Sequence, residues 1–166
     1  NIMKPKLVFK LKRDTNGNIK QHKVRLCAKG FAQRHGIDHD QTFSPVVRGS
    51  SLRVLFGLIA RYKMHARQFD VSGAFLNTPV DTEMYMHPPD GMVIPRGHVL
   101  RLRKAIHGCK QSSRLFGKEF TSLLIEIGFT QSVLDPCIFT MRRNGQLALL
   151  AIHVDDGCAA CTCPHM

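Results

Sequence analysis

Residues 136–156, PCIFTMRRNGQLALLAIHVDD, contain two extended runs that meet at Asn144-Gly145, with two adjacent carboxylates where the second run ends. Asn-Gly supplies the left-handed dihedrals of a tight turn, so the stretch reads as a β-hairpin. Its return arm delivers Asp155 and Asp156 to the end of a strand. A pair of acids there either caps a turn or, given a third partner, holds a cation.

Working outward, residues 111–129, QSSRLFGKEFTSLLIEIGF, predict a helix that starts from a Ser cap, turns Leu115, Phe116, Phe120, Leu123, Leu124 and Ile127 to a core, and stops at Gly128. Before it, HVLRLRKAIHG is an extended basic run closed by Gly108, and YMHPPDGMVIPRGH is a connector punctuated by Pro and Gly. In HARQFDVSGAFLN, Phe69 and Val71 flank Asp70 in a short strand that breaks at Ser72-Gly73. A carboxylate at the end of a buried strand needs a cation or hydrogen-bond donors to offset desolvation.

GSSLRVLFGLIARYKM predicts an amphipathic helix capped by Ser50 or Ser51, with Leu52, Leu55, Phe56, Ile59 and Ala60 at helical spacing. KLVFKLKRDTNGNIKQHKVRLCAKG predicts a second hairpin, turning at Asn16-Gly17 and carrying Lys10, Lys12, Arg13, Lys20, Lys23, Arg25 and Lys29. The expected class is therefore α+β: one domain over residues 1–166, a small antiparallel sheet with helices on one face, and no repeat or interdomain linker.

The 166 residues, 43% hydrophobic, suffice for a buried core, and 24 Lys and Arg against 12 Asp and Glu leave a net charge of +12. Such a surplus favours a polyanionic partner, nucleic acid or an anionic surface, over the blander reading of a basic, solvated surface. No apolar run is long enough to span a bilayer and the N-terminus lacks signal architecture, so the expectation is an intracellular protein with no membrane partner. Cys27, Cys109 and Cys137 stand singly among apolar neighbours and read as buried thiols.

Should the Asp70 strand lie beside the strand leading to Asp155, Asp70, Asp155 and Asp156 would converge at one sheet edge. Converging carboxylates suit Mg²⁺, which takes one or two of them together with substrate phosphates. Two such ions stabilise the attacking and leaving oxygens of an in-line phosphoryl transfer, and the basic hairpin would face the triphosphate.

The blocks KVRLCAKGFAQRHGIDHDQTFSPVV, FDVSGAFLN, EMYMHPP, RLRKAIHGCKQSSRLF, GFTQSVLDPCIFT and HVDD, in that order, resemble the reverse transcriptase of copia-type long-terminal-repeat retrotransposons from about Lys6 to Asp156. The resemblance implies the fingers (about residues 1–48) and most of the palm (about 49–166) of a right-hand polymerase, with a palm sheet like that of RNA-recognition motifs. It implies an RNA-directed DNA polymerase using Mg²⁺, or Mn²⁺ in its place, with an RNA or DNA template, a primer and deoxynucleoside triphosphates as partners. It places the protein in cytoplasmic virus-like particles or the nucleus. Asp70, Asp155 and Asp156 match the metal-binding aspartates. Phe75 matches an aromatic gate that excludes a 2′-hydroxyl by clash. Gln111 matches a glutamine near the incoming nucleotide, with Gly108 permitting close backbone approach, and Lys23 and Arg25 match basic positions facing the triphosphate. The competing reading is a catalytically silent, basic nucleic-acid-binding remnant.

Three positions depart from the family pattern: His153 stands for a tyrosine before Val-Asp-Asp, and HGCKQSSR places His107 for a tyrosine and Ser113 for a proline. After Asp156 the pattern continues with a return strand, a primer-gripping strand, a thumb and a ribonuclease H domain. GCAACTCPHM is too short for these, so thumb and ribonuclease H are expected absent, and weak processivity with them. Cys158, Cys161, Cys163 and His165 form a C-x₂-C-x-C-x-H string that would select Zn²⁺. One compact tail offers little tetrahedral geometry, and the expectation is a frayed terminus.

Overall fold

The computed structural model describes residues 1–163. In chain order it contains β1 (Ile2–Met3), β2 (Pro5–Arg13), β3 (Ile19–Ala28), α1 (Gly49–Tyr62), β4 (His65–Asp70), α2 (Ala74–Asn77), β5 (Pro79–Met86), β6 (Leu100–Lys104), α3 (Ser112–Glu126), β7 (Thr130–Gln131), β8 (Ile138–Arg143), β9 (Gln146–His153) and β10 (Asp156–Cys161). The class is mixed α+β. The chain divides into two compact units, each built from two stretches: Asn1–Thr42 with Phe75–Leu115, and Phe43–Ala74 with Phe116–Met166.

In the first unit β2 and β3 form the basic hairpin, paired from Pro5↔Ala28 to Arg13↔Ile19. Its turn is longer than a bare Asn-Gly turn. Gly17 alone takes a left-handed φ, +85°, while the Asp14 carboxylate accepts the N–H groups of Asn16 and Asn18, each at 2.9 Å. Beside the hairpin lies a three-stranded sheet in the order β1-β5-β6, with β1 parallel and β6 antiparallel to β5. Met3, Met84 and Met86 fill its core with Ala28, Ile106 and Cys109. Strand β5 falls where no strand was expected. Its pattern is apolar only at alternate, Met-rich positions, which carry a weaker strand signal than β-branched residues do.

The second unit is a five-stranded antiparallel sheet in the order β4-β10-β9-β8-β7. Asn144 and Gly145, both left-handed at φ +50° and +75°, make the expected two-residue turn, with Arg143 opposite Gln146. Helices cover both faces of this sheet, which corrects the one-faced arrangement. Leu55 of α1 packs with Leu149, Ala151 and Ala160, while Leu124 of α3 packs with Phe139, Leu150 and Ile152. Successive β9 residues thus point to opposite buried layers. A strand buried on both sides reads as an unbroken apolar run, and LALLAI is one.

Three further expectations are corrected here. The β4 strand is largely exposed, not buried. Neither Ser50 nor Ser51 caps α1: Arg48 is the N-cap without a side-chain bond, and Ser51 Oγ instead donates to Asp135 Oδ2 at 2.6 Å. That carboxylate also accepts the backbone N–H of Arg48 at 3.0 Å, so a residue from a distant loop ties down the start of the helix. Leu123 of α3 and Ile127 just beyond its end are exposed rather than in the core.

The frayed terminus is likewise corrected for residues 156–161, while residues 164–166 lie outside the described residues. Residues 156–161 form β10, hydrogen-bonded to β4 on one side and β9 on the other. Its Asp, Gly and Ala residues have little strand propensity, and pairing on both edges together with close packing overrides that. Phe69 lies against Gly157 so closely that a Cβ there would collide with its ring and stand 2.9 Å from the Ala151 carbonyl oxygen.

Candidate active site

The carboxylates are placed by strand register. Asp156 pairs directly with Asp70 across β10 and β4, and with His153 across β10 and β9. Direct partners in an antiparallel sheet project to the same face, so His153, Asp156 and Asp70 form a row over three strands. The strand beside β4 is therefore β10, which enters between β4 and the strand leading to Asp155. On this face a cavity of about 290 Å³ opens beside Asp156 and His153, against Leu52 and Phe56 of α1.

Asp155 lies in the two-residue turn between β9 and β10. Its carbonyl oxygen accepts the Val71 N–H at 2.9 Å, fastening the turn to the chain just after Asp70. Val154, the other turn residue, has φ +61°. A β-branched side chain in that region is strained, and such strain persists only where the surroundings over-determine the backbone. Here the β4-β10-β9 ladder and the Val71 bond do so.

Among the described residues no group of three or more His, Cys, Asp and Glu side chains is gathered as a metal ion would require. The acidic donors at this edge are hard carboxylate oxygens, with the His153 imidazole in the same row, and carboxylates suit a cation that completes its shell with water and phosphate oxygens. The thiols behave differently. Cys158 and Cys161 are three residues apart on β10 and face opposite sides of the sheet, and Cys161 Sγ contacts the Cys163 carbonyl oxygen at 2.7 Å. His165, the fourth member of that string, lies outside the described residues.

The other four candidates belong to the first unit. Lys23 and Arg25 are half-buried on one face of the hairpin, where Lys23 stands opposite Lys10 and Arg25 opposite Val8. Directly opposed like charges destabilise a ribbon unless an anion lies over them. Phe75 meets His107 edge to face, with ring centroids 5.1 Å apart and planes at 69°. Gly108 has φ +91°, and a Cβ on it would collide with the Ala28 carbonyl oxygen, a close approach within the chain itself.

Gln111 is only 1% exposed. Its Nε2 donates to the Asp38 carbonyl oxygen at 2.9 Å and its Oε1 accepts from Gln33 Nε2 at 2.9 Å. The amide is thus committed inside the unit and positions neighbouring segments. Sequence reasoning passed over His107 as a contact for Phe75, and over Gln33 and Asp135. Each is a single polar residue in an irregular segment, with no spacing to mark it.

Residues 2–162 match the protein-family model for reverse transcriptase (RNA-dependent DNA polymerase). The chain belongs to this reverse transcriptase family. It is 37% identical over 151 residues to the retrovirus-related Pol polyprotein from transposon RE2 of Arabidopsis thaliana, covering 90% of this chain and 10% of that protein. It is also 37% identical over 157 residues to the Pol polyprotein from transposon TNT 1-94 of Nicotiana tabacum, covering 93% of this chain and 12% of that one. This reverse transcriptase chain thus spans about a tenth of the length of the curated copia-type relatives it matches. No solved structure matches it.

Proposed function

We propose that the chain forms fingers and palm portions of an RNA-directed DNA polymerase, which adds deoxynucleotides to a primer 3′ end. The observation that carries this reading is the direct pairing of Asp156 with Asp70, beside the strained turn that holds Asp155. The second unit supplies the palm portion and the first the fingers. The one-sided sheet of RNA-recognition motifs is not carried forward, because helices cover both faces here.

Asp70, Asp155 and Asp156 would hold Mg²⁺ or Mn²⁺. When bound, such ions acidify the primer hydroxyl and neutralise the departing pyrophosphate. The chain's own residues do the rest. Lys23 and Arg25, with Lys10 alongside, draw the triphosphate to the hairpin face, and Phe75 packed on His107 presents a wall to the sugar. The charge of +12 serves to hold the template and primer backbones.

The test is Mg²⁺-dependent binding of a deoxynucleoside triphosphate to the full chain, expected to be lost in Asp70→Ala. Equal binding by that variant would overturn the reading. In primer extension the parent chain is expected to give only short products, and Asp155→Asn none. A second reading, a silent basic module, draws on the opposed Lys10 and Lys23. It expects nucleic-acid binding that falls steeply with salt and is indifferent to Asp70→Ala.

A further inference from the structure

The loop from His107 to Gln111 is clamped along its length by one segment, residues 28–33. At one end the Ala28 N–H donates to the His107 carbonyl oxygen at 2.8 Å. In the middle Gly30 and Gly108 approach so closely that a Cβ on Gly30 would collide with the Gly108 carbonyl oxygen. At the other end Gln33, buried at 4% exposure, reaches the loop with both ends of its amide, its Nε2 also donating to Met84 Sδ at 3.4 Å. Its Oε1 accepts the Lys110 N–H at 2.7 Å, and its Nε2 donates to Gln111 Oε1 at 2.9 Å. Lys110 Nζ returns to the Gln33 carbonyl oxygen at 3.0 Å.

This clamp ends on the ring that meets Phe75. Left-handed Gly108 joins His107 to the clamped residues, so the position of the imidazole against Phe75 depends on where the loop is pinned. A two-ended amide has one low-energy placement between a fixed donor and a fixed acceptor. An apolar residue of similar size would remove the acceptor of the Lys110 N–H and leave Gln111 Oε1 buried without its donor, and the loop would move to satisfy them.

We infer that Gln33 is a positioning residue for sugar selection: its amide sets the His107 ring against Phe75, and this pair discriminates deoxyribose from ribose. The inference rests on the proposed polymerase reading, but its first test does not need catalysis. In the full chain, the ring-proton resonances of His107, assigned with His107→Asn, are expected to show a ring-current displacement that disappears in Phe75→Leu. Gln33→Leu is expected to remove the same displacement while the remaining methyl resonances stay dispersed. Gln33→Met, which keeps the stem and loses the polar ends, is the second variant should Leu unfold the unit. Gln111→Met, which breaks the other half of the amide pair, is expected to have the same effect. A His107 displacement that survives in folded Gln33 variants overturns the proposal.

The second readout is the preference for deoxynucleoside over ribonucleoside triphosphate in single-nucleotide incorporation. It is expected to fall about tenfold in Gln33→Leu, as a misplaced wall would produce. A merely structural role would lower incorporation of both substrates and leave their ratio unchanged, and that result also overturns the proposal. Failure of the polymerase reading would show separately, as triphosphate binding indifferent to Asp70→Ala.

Discussion

Asp135 illustrates how much one buried side chain carries. At 3% exposure it accepts hydrogen bonds from Ser51 Oγ, the Arg48 N–H and, at 3.0 Å, the Cys137 N–H. Burial works to raise its pKa, but these donors and the charge of Arg48 outweigh burial and hold it below 3.8. A carboxylate depressed in the folded state stabilises it above the unfolded pKa, and that contribution is lost as pH falls through the folded value. Acid titration of stability is therefore expected to steepen below about pH 4, and Asp135→Asn to flatten that limb. Asp135→Ala, which leaves three donors without their acceptor, is expected to cost about 2 kcal/mol in urea unfolding. Its neighbour Cys137 is pushed up to about 11 by burial, with the Asp135 charge adding to the shift, so it is expected to resist alkylation at neutral pH in the native chain. At Gly157 a methyl group has nowhere to go beside the Phe69 ring. Gly157→Ala is expected to destabilise by about 1–3 kcal/mol, measured by thermal unfolding.

Among elements, the β9-β10 turn stores strain in one residue. Val154 at φ +61° occupies a region where a β-branched side chain costs about 1–2 kcal/mol, so Val154→Gly is expected to raise the midpoint of unfolding. The two Asn-Gly pairs show what the chain made legible and what it did not. Both hairpins were readable, yet only Asn144-Gly145 forms a two-residue turn. At Asn16-Gly17 the Asp14 side chain competes for the local N–H groups and enlarges the turn. Helices α1 and α3 were readable from apolar spacing, whereas the residue that ties down the start of α1, Asp135, lies far along the chain, and no local pattern announces it. Asp70, Asp155 and Asp156 were recognisable as a set through the resemblance. Their register was not, because the strand that brings Asp156 to Asp70 is built of Gly, Ala and Cys.

At the scale of the whole molecule, the hairpin presents two unlike faces. Leu7, Phe9 and Leu11 lie on one with Val24 and Leu26, Phe9 being 72% exposed, while Lys6, Lys10, Lys12, Lys23 and Arg25 share the other with Val8. If phosphates lie over the basic face, replacing Lys10 and Lys23 together by Ala is expected to reduce the slope of log affinity against log salt by about two. Filter binding of an oligonucleotide at several ionic strengths measures it, and an unchanged slope would place the phosphates elsewhere. The sheet of the second unit has a further consequence, for the order of folding. Strand β4 ends at residue 70, but its hydrogen-bonding neighbour β10 begins at residue 156. Closing so long a loop costs entropy before any contact repays it. During synthesis β4 must therefore wait, both edges unpaired, while everything between is made; the β8-β9 hairpin needs only its own two-residue turn, and β10, two residues after β9, is the strand that ties that hairpin back to β4.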